Sequence, residues 1–144
     1  MNVRPSKTLI VLALTFCSVL VIGCNSKAHN RTEVSGVVTL DGKPLPVGLT
    51  VKFTPQEPDR SVGGGMVGPG GRYVIFGEPG KIGLDPGTYV VSVELPFADE
   101  RGPYTGPPEL AKLTIPEAYQ TGKSTLTYTA PSGGGTLDIE MSSK

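Results

Sequence analysis

Cys24 is the side chain best placed for covalent chemistry. It follows Gly23 directly, at the end of an uncharged run over residues 8–23 that is rich in Leu, Val and Ile. A thiol there sits where an attached acyl chain would enter a membrane. The other cysteine, Cys17, lies inside the apolar run, so the chain beyond residue 24 has no thiol for redox or nucleophilic work. The single histidine, His29, stands in a polar stretch just after Cys24. A Ser-His-Asp triad or a multi-histidine metal site therefore cannot be assembled further along. Asp99, Glu100 and Glu109 fall in one Pro-rich stretch. Paired carboxylates can hydrolyse glycosidic bonds or hold calcium. These stand beside Arg101 and Lys112 and read as a solvated loop. Tyr104 and Tyr119 are candidate contacts for a glycan or a protein, against the plainer role of capping the core with the hydroxyl toward water.

Two glycine motifs look like phosphate cradles and fail on context. Gly63-Gly64-Gly65-Met66-Val67-Gly68 has the G-x-G-x-x-G spacing. That motif needs a helix N-terminus after it, where free amides meet a pyrophosphate. Here Pro69 and a strand pattern follow. Gly122-Lys123-Ser124 imitates the end of a P-loop, but Glu117 holds the place of its first glycine. No nucleotide and no other cofactor is expected. Nor is a nucleic acid, because formal net charge is zero and no basic face is in view.

The elements that would place Cys24 are a leader and a tether. Arg4 and Lys7 precede the apolar run, which is the layout of a secretory signal. The run is shorter than the roughly 20 residues that cross a bilayer as a helix, and no basic cluster stops it. Residues 1–23 are therefore expected to be a cleaved signal, and 24–32 a polar tether. Asn30-Arg31-Thr32 matches a glycosylation sequon and is taken as chance.

Val21-Ile22-Gly23-Cys24 resembles the lipobox of bacterial lipoproteins. The resemblance implies diacylglycerol on the Cys24 thiol, cleavage between Gly23 and Cys24, and acylation of the freed amine. Two lipid signals already anchor a protein stably, whereas one chain does so marginally. The implied address is the cell envelope, held to the membrane through the lipid. Asn25 in place of an aspartate after the cysteine favours the outer over the inner membrane, by analogy with other lipoproteins.

From residue 33 the pattern becomes short β-branched runs between turn signals. The chain of 144 residues carries 20 Gly and 14 Pro, which favours many turns over helices. Seven strands are predicted, near residues 34–40, 49–54, 61–67, 72–76, 88–95, 124–129 and 136–141. Asp41-Gly42 marks a tight hairpin turn, and Gly36 inside the first strand marks a bulge or a close backbone approach. Ile82 and Leu84 are expected under the core. Residues 109–113 have room for one helical turn. This is the pattern of one all-β domain over 33–144, a two-sheet antiparallel sandwich.

The run Val34-Ser35-Gly36-Val37-Val38-Thr39-Leu40-Asp41-Gly42-Lys43-Pro44-Leu45 resembles the opening of transthyretin-like, carboxypeptidase-regulatory-like domains of bacterial surface lipoproteins. Gly71-Arg72-Tyr73 and Pro86-Gly87-Thr88-Tyr89-Val90-Val91-Ser92-Val93 are similar to that family's later strands. Ile115-Pro116-Glu117-Ala118-Tyr119 resembles the C-terminal part of short planctomycete-type lipoproteins. The resemblance implies a seven-stranded, prealbumin-like Greek-key sandwich. Its motifs are turn and core residues, so they speak to fold more than to function. The turn Gly68-Pro69-Gly70-Gly71 lacks the acidic residues that members often carry, so no metal is expected there. The ureide hydrolases of similar architecture need histidines and a Tyr-Arg-Gly-Ser-like tail, and this chain ends Met141-Ser142-Ser143-Lys144. The expectation is a non-catalytic structural or interaction module at the envelope, with a protein or glycan partner. The alternative is a carbohydrate- or peptidoglycan-binding module using the 96–120 loop.

Overall fold

The computed structural model describes residues 31–77, 81–96 and 107–144. The leader, Gly23, Cys24, His29, Asp99, Glu100 and Tyr104 lie outside the described residues. Nine short strands are present among those described: β1 (Val34–Leu40), β2 (Lys43–Pro44), β3 (Thr50–Pro55), β4 (Gly63–Met66), β5 (Arg72–Val74), β6 (Gly87–Glu94), β7 (Thr127–Ala130), β8 (Gly135–Thr136) and β9 (Ile139–Met141). Only single 3₁₀ turns interrupt them, at Pro69–Gly71, Leu110–Lys112 and Glu117–Tyr119. The second is the helical turn expected near residue 110.

The strands form two sheets. One runs β4-β3-β6-β7 and is antiparallel throughout; the other centres on β1, flanked by β2 and β5 and by β8 and β9. The expectation of purely antiparallel pairing is corrected at one seam, because β8 and β9 run parallel to β1. The cause is the chain's path. β7 ends where Ala130 faces Gly87 at the start of β6, and the turn after it sends the last strands back alongside β1. The predicted strand at 136–141 is split in two between Thr136 and Ile139, and the one at 124–129 begins only at Thr127. The Asp41-Gly42 hairpin forms as expected, with φ of 49° and 76° and Leu40 facing Lys43. Pro44 ends a two-residue edge strand, where a missing ladder donor costs least.

Period-two alternation decides which side chains meet. Val51 and Phe53 of β3, Tyr89, Val91 and Val93 of β6, and Val34 and Val38 of β1 are all buried, in one cluster fed by both sheets. Leu84 joins it, whereas Ile82 is 53% exposed, which corrects its expected place under the core. The folded part also begins earlier than residue 33. Thr32 is buried and exchanges two backbone hydrogen bonds with Leu84, at 2.7 and 2.8 Å. Arg31 lies 3.7 Å from the buried Asp85 carboxylate.

The glycines of β4 now have a structural cause. A Cβ on Gly63 would lie 2.2 Å from a Leu84 methyl, and one on Gly65 would lie 2.3 Å from the Val74 carbonyl oxygen. The G-x-G-x-x-G spacing records a close crossing of the 74–76 backbone, where Phe76 and Gly64 exchange hydrogen bonds of 2.8 and 2.9 Å.

Tyr89 ties the entry of β6 together. Its ring is buried, and its hydroxyl donates to the Asp85 carbonyl at 2.8 Å, four residues back. Burial, with the nearby Asp85 carboxylate, pushes the phenol above its usual pKa, so it stays a donor. Such a back-bond at the start of a strand is the tyrosine-corner device of sandwich folds. Tyr89→Phe leaves a buried carbonyl unpartnered. The expected loss is about 1–2 kcal/mol, read as a Tm lower by roughly 5 °C in thermal denaturation of residues 25–144.

Candidate ligand groove

The outward positions of the four-stranded sheet carry polar side chains because the inward ones are spent on the core. Lys52 of β3 stands opposite Ser92 of β6, and Thr50 opposite Glu94. β7 covers only the first half of β6, pairing as far as Val90. Beyond it, the segment 107–124 lies along β6 as a strap. Leu110 and Ile115 anchor the strap in the core. Gln120 closes it on itself, its side-chain amide donating to the Ile115 carbonyl at 2.7 Å. Ser124 stitches its end to β6 by donating to the Val91 carbonyl at 2.5 Å.

Between strap and sheet lies a groove of about 740 Å³. Val93, Leu95, Leu113 and Ile115 give it an apolar floor, and Lys52, Glu94 and Thr121 form its polar centre. A second hollow of about 530 Å³ shares Lys52 and Thr121 and continues over the outer face of the sheet past Ser92, Thr54 and Val62. Together they make an elongated, mostly apolar depression suited to an extended ligand, with Lys52 and Thr121 where the two hollows meet.

Its charges are already paired. The Lys52 ammonium lies 3.1 Å from Glu94 Oε1. The Thr121 hydroxyl donates to the same oxygen and also lies 3.1 Å from the Ser92 hydroxyl. Burial alone would push the Glu94 carboxyl up. Hydrogen bonds from Thr121 and Lys52, with the lysine's charge, outweigh it and hold the carboxyl below its ordinary pKa. Glu94 is thus a fixed anion at neutral pH, poorly suited to act as a general acid. Among the described residues no group of three His, Cys, Asp or Glu side chains is placed to hold a metal ion.

A carboxylate with a depressed folded-state pKa contributes stability at neutral pH and loses it as pH falls through that value. The strap should therefore loosen from β6 below the ordinary glutamate range, near pH ~4.3. The stability gap between the native chain and Glu94→Gln, measured by urea unfolding, should be open at pH 7 and narrow as pH falls below the ordinary glutamate range.

Of the residues singled out in the sequence, only some can be placed. Tyr119 is half-buried, and its hydroxyl donates to the Glu140 carbonyl at 3.2 Å, so it covers the edge of β9 and does not line the groove. Glu109 is exposed on the strap, and Gly122-Lys123-Ser124 forms a turn whose Lys123 pairs with Glu117 at 2.7 Å. Tyr104, Gly23 and Cys24 fall outside the described residues. Lys52, Glu94 and Thr121 were not singled out from sequence. The outward strand positions of Lys52 and Glu94 could be read there, but the β3–β6 register and the strap's return with Thr121 could not. No protein-family model, no curated protein and no solved structure matches this chain.

Proposed function

We propose that this chain is a lipid-anchored protein of the bacterial cell envelope, carrying a transthyretin-like Greek-key sandwich as a non-catalytic interaction module. The lipobox-like run ending in Cys24, the two sheets around one core and the tyrosine corner at β6 support that reading. The observation that carries it is the placement of the groove. The chain enters the fold at Arg31 and Thr32, beside Leu84 and Asp85, just before β6 begins at Gly87. The groove lies at the other end of β6, around Glu94 and Leu95. Eight residues of strand separate the two, a rise of roughly 24 Å. An anchor at one end and a recognition surface at the other suit a domain that holds a partner away from the membrane.

A carbohydrate or peptidoglycan ligand is the second reading. The exposed Thr54 hydroxyl and the lysine–carboxylate pair that borders the same hollow favour it, since a polyol needs both donors and acceptors. Two measurements test these readings. Cys24→Ala should abolish incorporation of labelled fatty acid and leave a larger, uncleaved precursor; unchanged labelling would remove the lipoprotein reading. A photo-cross-linking side chain at Leu113 in the native envelope should capture a protein partner. Capture of glycan strands instead selects the second reading, and no adduct at all counts against the groove.

A further inference from the structure

Two large apolar side chains stand exposed where the chain enters the fold. Phe76 is 47% and Ile82 53% exposed. They are paired in one antiparallel bridge, closed by the Gly77 amide donating to the Lys81 carbonyl at 3.1 Å. The pair sits next to the entry point. The Gly83 amide binds the Ile75 carbonyl at 2.8 Å, a Cβ on Gly83 would lie 2.4 Å from the Thr32 carbonyl oxygen, and Leu84 is locked to Thr32. One on Gly77 would lie 2.8 Å from the Arg31 guanidinium. Lys81 is exposed at the rim, and Glu78 three positions before it leaves residues 76–82 with no net charge.

We infer that Phe76 and Ile82 form a membrane-contacting foot that lays this end of the domain on the lipid surface. The inference rests on the lipid attachment proposed at Cys24. Seven Cα-to-Cα steps separate Cys24 from Arg31, so the entry point lies within about 24 Å of the lipidated residue however that stretch is folded. The Thr32–Leu84 bonds and the Arg31–Asp85 pair fix the entry rigidly to the hairpin that carries Phe76 and Ile82. The tether's attachment thus keeps this apolar pair close to the bilayer. Exposed apolar side chains held at a membrane surface settle into the boundary of headgroups and acyl chains, ~5–10 Å deep. The foot would act as a second contact beside the lipid, setting the domain's orientation with the groove outward.

The test uses the full lipidated chain, reconstituted into vesicles of phosphatidylethanolamine and phosphatidylglycerol. After processing, an introduced cysteine is the only free thiol, because Cys17 leaves with the leader and Cys24 is acylated. Ile82→Cys and, at the opposite end of β1, Lys43→Cys each receive an environment-sensitive fluorophore. The expected result is blue-shifted emission at position 82, at least halved by brominated lipid, and water-like, unquenched emission at position 43. Phe76→Cys should behave like Ile82→Cys. Co-flotation with vesicles but water-like emission at both 76 and 82 overturns the foot and leaves the lipid anchor standing; a foot made for a protein partner would give that outcome. Failure to co-float overturns the anchor, and the foot with it.

Discussion

Gly36→Ala should be among the most damaging single substitutions in the fold, costing about 3 kcal/mol or more. A Cβ at this position would lie 1.9 Å from the Leu137 carbonyl oxygen and 2.6 Å from its carbon. The neighbour is backbone, so no rotamer change relieves the clash. It is also a pinned backbone. The Leu137 amide donates to the Ser35 carbonyl at 2.9 Å, and the Leu137 carbonyl accepts the Tyr73 hydroxyl at 2.5 Å. Next to it, Asp138 Oδ1 takes the Val37 amide at 2.9 Å, filling a ladder position that no β9 carbonyl reaches. Alanine must push 137–138 away from β1, which breaks these bonds and separates β8 and β9 from the first strand. For a domain with a total stability of some 5–15 kcal/mol, that is a large share. Equilibrium urea unfolding of residues 25–144 measures it through the midpoint. A midpoint within error of the native one would show that the crossing is looser than this geometry.

Phe53→Ala should cost about 3–5 kcal/mol. Phe53 is fully buried, and its ring touches three tyrosines. The centroid separations are 6.4 Å to Tyr73, 6.2 Å to Tyr89 and 5.9 Å to Tyr128, the last two edge-on. Tyr73 belongs to β5 and Phe53 to β3, so this contact joins the two sheets. Truncation leaves a cavity between them and removes the favourable aromatic geometry, worth about 0.5–1.5 kcal/mol per pair beyond burial. Phe53→Leu keeps most of the volume and should lose clearly less. Comparable losses for the two variants would mean that the sheets close over the gap and that the rings carry little by geometry.

Much of this architecture could be read from residue order. Alternation in 49–54 and 88–95 assigned the inward sets Val51/Phe53 and Tyr89/Val91/Val93/Leu95, since a strand has a side-chain period of two; Leu95 is only half-buried against the core. Asp41-Gly42 announced its hairpin because few other dipeptides accept two positive φ angles. Gly36 announced a close approach, although not its partner 101 positions away. Ile82 misled, because an apolar residue two positions from a buried leucine looks like a core residue until the hairpin is seen to turn its face outward. The parallel seam was hidden for a similar reason. A sequence pattern says that a segment is a strand but not which strand it will lie beside.

The groove marks the same boundary. Local order alone determined that Lys52, Ser92 and Glu94 point away from the core and that Cys24 ends an apolar run. Local order acts through backbone sterics and the period of the pleat, which neighbouring residues settle among themselves. Only the tertiary structure decided that Lys52 and Glu94 share Thr121, and that the strap from 107 to 124 fills the place beside β6 left open by β7. It also decided that the chain enters at the end of the sheets opposite the groove. Those facts depend on register and on long-range closure, with partners 27 and 42 residues apart. Their energy is recovered only when both sheets have met over Phe53.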